Sequence, residues 1–342
     1  MSALAIAGAA HAARAGASVQ ISPQRVLRAA VDLGREISLV PVLNNGPALL
    51  EDGMFRRFLF SAIFCMIPLA ATAAPTPATI SVGGVSRSYI IDIPAGAGAK
   101  PAIFMLHGLG GTAAEAMQGT RLPLLGEQVG FVSVFPNAIA HRWNHFPAPA
   151  VPPSYVQDWQ QAGSGVPDDV AFLRALVAEL VARRVADPKR IYIAGFSAGG
   201  FMSMRMVCEN SELFAAAALI SSSMQEPAGA ACHPRLPTPL YALKGTADQN
   251  EPYNGGPVLD GTFSVWSAQH LTEFFRQLDG CTGDGAPITV QGENPARESF
   301  VRWTCSNGPV ILGTVQGGQH MLFPLPPPAS TLWWFFAPLH RA

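Results

Sequence analysis

The fold of this chain is decided by the stretch RIYIAGFSAGG, residues 190–200. The β-branched and aromatic residues at 191–194 are typical of a buried strand, and residues 200–207 are typical of a helix. Ser197 therefore lies in a G-x-S-x-G motif at a sharp turn between strand and helix. Such a turn holds the serine in a strained conformation with an exposed hydroxyl, and the helix N-terminus offers N–H donors to an oxyanion. The pattern predicts a nucleophilic serine; an ordinary Gly-rich turn with a capping serine is the alternative.

The composition limits the classes of function. The chain has 342 residues, of which 49% are hydrophobic and 13% charged, and its formal net charge is -1. This composition is globular and lacks the basic excess of a nucleic-acid binder. We therefore expect no nucleic-acid partner.

Residues 54–73 have the layout of a secretory signal peptide. A positively charged start at Met54 to Arg57 precedes an apolar run from Phe58 to Leu69, and Ala71-Thr72-Ala73 forms a small-residue cleavage site. The apolar run is too short to span a bilayer, so we expect no stable membrane insertion; a buried core helix is the alternative. We therefore expect residues 1–53 to be a non-native upstream extension and residues 74–342 to form a single domain. The protein would be secreted, to the extracellular space or the periplasm.

Cysteine usage agrees with export. Cys65 lies in the predicted signal peptide, and an even number of cysteines remains in the domain: Cys208, Cys232, Cys281 and Cys305. This predicts two disulfides, for which three pairings exist. We favour the sequential pairing of Cys208 with Cys232 and of Cys281 with Cys305. Zinc is the rival interpretation, but the chain has no C-x-x-C pair and no regular histidine spacing.

Apolar runs alternate with helical patterns through the domain. Strands are predicted at residues 87–94, 102–106, 131–135, 191–194, 215–220, 240–243 and 310–315. Four helices are predicted: one that begins near residue 168, one over residues 200–207, one over residues 266–278 and one around residues 333–336. Asp168 or Asp169 is placed to cap the first of these helices. The last one, aromatic over Trp333 to Phe336, is expected to dock on the sheet. The alternation predicts an α/β fold whose mostly parallel sheet has helices on both faces.

Two residues downstream of Ser197 are suited to activate it. A serine hydroxyl needs a base to take its proton, and that base needs an orienting carboxylate. An α/β-hydrolase sheet presents these groups in the chain order serine, acid, histidine. Asp248 follows the strand 240–243 and His320 follows the strand 310–315, so both lie beyond strand carboxyl ends. We predict a catalytic triad of Ser197, Asp248 and His320, with Glu251 as the nearest competing acid.

Two backbone N–H groups are predicted to stabilise the oxyanion. One belongs to Ala198, directly after the nucleophile. The sequence HGLGG at residues 107–111 follows the strand 102–106 and is expected to supply the other from Leu109. His107 itself is expected to be a structural hydrogen-bonding residue.

Four other residues are candidates of lesser weight. Trp143 and Trp159 are expected to line the substrate cleft, with packing in the core as the alternative. His141 and His145 are four residues apart, but no acidic residue accompanies them as in the H-E-x-x-H zinc motif. We therefore expect neither a metal site nor a cofactor.

The motifs together resemble the esterase/polyhydroxybutyrate depolymerase family, which also contains feruloyl and acetylxylan esterases. The likeness rests on LHGLGG (106–111), WN (143–144), DDVAFLRALV (168–177), DPKRIYIAGFSAGGFMS (187–203), GTAD (245–248), PYNGG (252–256) and GGQH (317–320). It implies secretion, internal disulfides and the same triad of Ser197, Asp248 and His320. The chain departs from the family in two places. No tryptophan precedes Pro324, and Lys244 replaces a common histidine, which leaves the substrate preference open.

The resemblance implies a serine carboxylesterase that works through an acyl-enzyme on an ester substrate. The short segment after His320 has no room for the binding module of many enzymes that attack solid polyester. This favours feruloyl or acetyl esters of plant polysaccharide, or soluble hydroxyalkanoate oligomers, as substrates. A depolymerase acting on polymer, a serine peptidase of the same fold and a non-catalytic binding protein are the alternatives.

Overall fold

The computed structural model of the chain describes residues 74–147, 150–290, 294, 297–321 and 328–342. The predicted upstream extension and signal peptide lie outside these residues. All the described residues belong to one compact unit. Among the helices of this part of the chain, none is both long and apolar enough to cross a bilayer.

Ten of the strands in the described residues form one sheet, and two more form a small hairpin. The strands are β1 (Thr76–Val82), β2 (Val85–Asp92), β3 (Lys100–Leu106), β4 (Val132–Pro136), β5 (Ala186–Phe196), β6 (Ala216–Ile220), β7 (Leu240–Gly245), β8 (Gly256–Val258), β9 (Phe263–Val265), β10 (Thr282–Ile288), β11 (Glu298–Thr304) and β12 (Val310–Val315). The order in the large sheet is β1-β2-β4-β3-β5-β6-β7-β12-β11-β10, and β8 pairs with β9.

The described α-helices connect these strands and follow the last of them. They are α1 (Ala113–Thr120), α2 (Leu122–Val129), α3 (Pro153–Gln161), α4 (Asp169–Ala182), α5 (Ala198–Asn210), α6 (Glu226–Ala230), α7 (Ala268–Leu278) and α8 (Pro328–Phe336). The predicted helix at 266–278 thus begins two residues late, because Ser267 caps it by accepting a hydrogen bond from the N–H of His270.

The centre of the sheet is parallel, as predicted. Neighbouring strands from β4 through β3, β5, β6 and β7 to β12 all run in one direction. Antiparallel strands extend each edge: β2 and β1 beyond β4, and β11 and β10 beyond β12. Sequence reasoning missed β1, β10 and β11 because they are half exposed and lack the continuous apolar run of a buried parallel strand.

Each face of the sheet has its own apolar core. Along β3, Phe104 packs on one face, whereas Ile103 and Met105 pack on the other, as the two-residue period of a strand requires. Helices α4, α5 and α7 cover the first face, and α1, α2 and α8 cover the second. On the second face the ring of Phe336 stacks on Tyr192 with centroids 4.7 Å apart, which confirms the predicted docking of the C-terminal helix.

The two aspartates at the start of α4 have different structural roles. Asp168 caps the helix, since its Oδ1 accepts the N–H of Ala171 at 2.9 Å. Asp169 is fully buried and pairs with the guanidinium of Arg87 at 2.5 Å. Its second oxygen accepts the N–H of Asn144 at 2.6 Å. Asp169 therefore ties α4, β2 and the segment around Asn144 together.

Both disulfides of the sequential pairing are present. Cys208, in α5, is bonded to Cys232, which lies just after α6. Cys281, before β10, is bonded to Cys305, directly after β11. Each bond closes a separation of 24 residues, so the two bonds restrain segments that flank the central parallel strands.

Candidate active site

Ser197 occupies the strained turn between β5 and α5. Its backbone has φ 52° and ψ −123°, a region that residues with a side chain rarely adopt. The turn is tight: a Cβ added at Gly195 would lie 2.2 Å from the backbone of Gly199, and one added at Gly199 would lie 2.3 Å from the carbonyl oxygen of Leu106. The N–H of Ser197 donates to the carbonyl of Ile220 on β6 at 3.1 Å, which holds the turn against the sheet.

His320 connects the serine to a carboxylate. Its Nε2 lies 2.9 Å from the Oγ of Ser197, and its Nδ1 lies 2.9 Å from Oδ2 and 3.1 Å from Oδ1 of Asp248. The side chain of Asp248 is fully buried, and that of His320 is 16% exposed. The three residues named by the motif order therefore form one continuous hydrogen-bonded chain.

Asp248 lies at the start of a tight turn that fixes its carboxylate. Oδ1 accepts the N–H of Asn250 at 3.0 Å and that of Glu251 at 2.8 Å. Hydrogen bonds from two backbone donors leave a carboxylate little freedom to rotate. Of the two acids that the sequence leaves open, it is Asp248 that reaches the imidazole of His320.

The loops that carry the acid and the histidine are bonded to each other. After β7, the N–H of Thr246 donates to the carbonyl of Val315 at 3.0 Å, and that of Ala247 donates to the carbonyl of Gly318 at 2.9 Å. In return, the N–H of Gly317 donates to the Oγ1 of Thr246 at 2.9 Å. These bonds continue the pairing of β7 with β12 past the strand ends and connect the loop of Asp248 directly to the loop of His320.

The loop at 107–111 forms the other wall of the site. The N–H of Gly110 donates to the carbonyl of His141 at 3.0 Å, and Nδ1 of His141 lies 2.9 Å from the carbonyl of Gly111. Leu109 and Ala198 line the same cavity as Ser197. None of the hydrogen bonds among the described residues engages the N–H of Leu109 or of Ala198. Both groups remain able to donate to an oxygen at the serine.

His107 has the structural role expected of it. Its Nε2 accepts the N–H of Ala138 at 3.1 Å, and Nδ1 lies 2.7 Å from the carbonyl of Gly108. Burial lowers the pKa of His107 to about 4, so the ring is neutral at ordinary pH. A neutral ring with its proton on Nδ1 satisfies both contacts and anchors the loop.

The expectation that Trp143 and Trp159 line the cleft requires correction. Both side chains are fully buried, and neither lies in the wall of the cavity at Ser197. The indole N–H of Trp143 donates to the backbone carbonyl of His107 at 2.9 Å, and that of Trp159 donates to the backbone carbonyl of Arg142 at 3.2 Å. The packing alternative holds, because each ring fills the core behind a loop of the site rather than facing the substrate.

The cavity at Ser197 has a volume of about 680 Å³. Its wall is formed by Gly108, Leu109, Tyr155, Phe196, Ser197, Ala198, Phe201, Gln249, Asn250, Glu251, Pro257, Val258, Leu259, Asp260, Gly261 and His320. Sequence reasoning missed most of this wall. Phe201 could have been found, because it lies four residues after Ser197 on α5 and so shares its face of the helix. Tyr155 and Leu259 carry no such signal, since only tertiary packing brings α3 and the β8–β9 hairpin to the site.

An aromatic cluster supports one side of the cavity. The buried ring of His145 lies 4.2 Å from that of Phe146, 5.2 Å from Phe201 and 5.6 Å from Tyr155, measured between centroids. Complete burial lowers the pKa of His145 to about 3, so its ring is neutral. His145 is thus a packing residue, whereas His141 bonds the loop of Gly110 and Gly111.

The chain is similar in sequence to a family of esterases. Residues 87–233 match the family model described as Esterase PHB depolymerase. The chain is 31% identical over 268 residues to the protein named "Putative esterase NocK" of Nocardia uniformis subsp. tsuyamanensis, a match that covers 73% of this chain and 74% of the relative. It is 33% identical over 159 residues to feruloyl esterase B of Piromyces equi, but this match covers 45% of the chain and only 29% of that longer relative.

A solved structure shares the fold. The acetyl xylan esterase from Aspergillus awamori superposes with a TM-score of 0.55 at 13% identity, covering 77% of this chain and 99% of that one. At this identity the likeness concerns the fold alone, which is that of the α/β-hydrolases. The family model matches this chain, and the Nocardia relative aligns with it over most of the length of both proteins. The chain therefore belongs to the esterase PHB depolymerase family and is a carboxylic ester hydrolase.

Proposed function

We propose that the protein is an exported serine esterase that cleaves its substrate through an acyl-enzyme on Ser197. The observation that carries the proposal is the hydrogen-bonded chain from Ser197 through His320 to Asp248 at the wall of the 680 Å³ cavity. A serine so placed has its base within proton-transfer distance, and the base has a buried carboxylate to orient it.

The reaction follows from these contacts in two halves. His320 Nε2 takes the proton of Ser197 as Oγ attacks the ester carbonyl, and Asp248 stabilises the imidazolium. The N–H groups of Leu109 and Ala198 donate to the oxyanion of the tetrahedral intermediate. The imidazolium then gives its proton to the leaving alcohol. In the second half, water gives a proton to His320 as it attacks the acyl-enzyme. His320 then returns a proton to Oγ of Ser197 as the bond to the acyl group breaks and the acid leaves.

The substrates that we propose are feruloyl or acetyl esters of plant polysaccharide, or short hydroxyalkanoate oligomers. Relatives named as feruloyl esterases support the first group, and the matched family model supports the second. The cavity wall supports either, since it combines the apolar side chains of Phe201, Val258 and Leu259 with polar groups around Glu251.

Export is supported by the two disulfides, which persist in oxidising compartments and are rare in the cytosol. Removal of a signal peptide at residues 54–73 predicts a mature N-terminus at Ala74 or Pro75. N-terminal sequencing of exported protein tests this directly, and recovery of residues 1–53 on that protein would refute it.

The substrate assignment is tested with a panel of esters. Wild-type protein and the Ser197→Ala variant are assayed on methyl ferulate, acetylated xylan, a 3-hydroxybutyrate dimer, solid polyhydroxybutyrate and a peptide. We expect Ser197-dependent hydrolysis of soluble esters. Turnover confined to the peptide or to the solid polymer would identify the peptidase or depolymerase alternative instead.

A further inference from the structure

Glu251 carries a buried carboxyl group in the wall of the active-site cavity. It is only 4% exposed, yet it lines the same cavity as Ser197 and His320. Among the described residues no group hydrogen-bonds its Oε2. A buried polar atom without a partner is destabilising, and such atoms are uncommon in native proteins. An unpartnered carboxyl oxygen on a residue in the wall of the cavity therefore requires an explanation.

The backbone of Glu251 is fixed relative to the reacting groups. Its N–H donates to Oδ1 of Asp248 at 2.8 Å, and the other oxygen of that carboxylate contacts His320 at 2.9 Å. A bound group that contacts Glu251 is consequently placed at a defined distance from the triad. The imidazole of His320 is hydrogen-bonded to Asp248, so the carboxyl of Glu251 does not orient it.

Lys244 shares this buried region. Its side chain is fully buried at the end of β7, and its ammonium donates to the carbonyl of Pro252 at 3.5 Å, directly after Glu251. Burial raises the pKa of Glu251 to about 8, although the charge of Lys244 opposes this shift. The carboxyl can therefore be protonated near neutral pH, and a protonated carboxyl both donates and accepts hydrogen bonds.

We propose that Glu251 is a specificity-determining residue that binds a hydroxyl group on the acyl part of the ester. The acyl part is favoured because a polysaccharide or oligomer on the alcohol side must extend into solvent, whereas Glu251 is buried. The ligand is then a hydroxylated acyl group, with either a phenolic hydroxyl, as in hydroxycinnamoyl esters, or a β-hydroxyl, as in hydroxyalkanoyl esters. This inference rests on the proposed esterase function and deepens it.

The test compares pairs of esters that differ by one hydroxyl. One pair is methyl p-coumarate and methyl cinnamate, and the other is ethyl 3-hydroxybutyrate and ethyl butyrate. For each protein the measured quantity is the ratio of kcat/KM for the hydroxylated ester to that for its deoxy partner. The two pairs distinguish a phenolic from an aliphatic hydroxyl.

We expect Glu251→Leu to lower this ratio at least about tenfold in one pair, because a site built around a substrate hydroxyl loses its discrimination when its partner is removed. Glu251→Gln keeps a hydrogen-bonding group and should retain part of the wild-type ratio. Asp284→Asn is the control: it alters an exposed acid on β10 that is not part of the cavity wall, and it should keep the ratio.

Three results would overturn the inference. Equal ratios in wild type and Glu251→Leu for both pairs would show that Glu251 does not recognise an acyl hydroxyl. A change confined to esters that differ by one hydroxyl on the alcohol, such as 2-hydroxyethyl acetate and ethyl acetate, would move the contact to the leaving group. Failure of the wild type to hydrolyse any ester would reject the proposed function together with the inference. If Glu251→Leu does not fold, the same ratio is measured in Lys244→Met/Glu251→Leu, which removes both buried titratable groups.

Discussion

Nε2 of His320 lies 2.9 Å from Oγ of Ser197, although 123 residues separate them along the chain. Ser197 follows β5 and His320 follows β12, and two further parallel strands, β6 and β7, stand between these in the sheet. Parallel strands bring all their carboxyl ends to one edge, so residues that are distant in sequence meet there. The contact depends on the whole parallel centre of the sheet.

Replacing Ser197 by alanine should lower kcat/KM for soluble esters by several orders of magnitude, because it removes the nucleophile. The melting temperature should stay near that of the wild type, since the change deletes one hydroxyl. Mass spectrometry after reaction with a serine-directed phosphonate provides an independent measurement. A label on any residue other than Ser197 would contradict the assignment.

Asp248→Asn should reduce kcat far more than Glu251→Gln does, by roughly 10⁴-fold relative to wild type, because an amide at this position favours the wrong imidazole tautomer. Methyl cinnamate is the suitable substrate, since it has no acyl hydroxyl for Glu251 to recognise. Steady-state kinetics of both variants decide between the two acids. A greater loss in Glu251→Gln would transfer the orienting role to Glu251.

Reduction of the disulfides should destabilise the folded protein. A bond across a separation of 24 residues is worth about 3 kcal/mol in the chain-entropy model. Differential scanning calorimetry with and without reductant should therefore show a clearly lower Tm in the reduced protein. Thiol titration of the denatured, unreduced mature protein should detect no free cysteine, and four free thiols would reject both bonds.

The free energy of unfolding should fall as the pH is lowered, because His145 binds a proton more readily in the unfolded chain. The folded pKa of about 3 lies below the unfolded value of about 6.5, so between these limits the unfolded chain binds the proton more strongly and the folded state loses stability as the pH falls. At pH 5 this term amounts to about 2 kcal/mol. Urea denaturation at pH 7.5 and pH 5 should show a larger loss in wild type than in His145→Leu.

This comparison is made between the two proteins because other groups titrate as well. Burial raises the pKa of Asp92 and of Asp279 to about 6, which favours the folded state at low pH, but both aspartates are common to wild type and variant. Equal pH dependence in the two proteins would show that His145 is not neutral in the fold.

Arg87→Met should destabilise the protein by about 3–5 kcal/mol, because it leaves the buried carboxylate of Asp169 without its charged partner. The double variant Arg87→Met/Asp169→Leu should recover part of this loss. Arg183→Met is the control, since its ion pair with Glu179 is exposed and is worth under about 1 kcal/mol. Urea denaturation measures all three, and equal effects of the two arginine changes would argue against a buried pair.

Local chemistry made much of the site predictable. The tight glycines around Ser197 and the apolar runs of the central strands follow from rules that act over a few residues, and the chain order from Ser197 to Asp248 to His320 follows from the order in which the fold uses its strands. The antiparallel edge strands were missed for the same reason, because half-exposed strands such as β10 have no local pattern that separates them from loops.

Local patterns in the sequence predicted the parallel centre of the sheet, the turn at Ser197 and the residue types of the triad. The structure was needed to show that Asp248 rather than Glu251 contacts His320, that Trp143 and Trp159 pack behind the loops, and that Glu251 lines the cavity. These features differ in how far apart along the chain the residues that fix them lie. A turn or strand depends on neighbours along the chain, whereas the direction of a loop side chain depends on the segments packed around it, which the fold brings from distant positions.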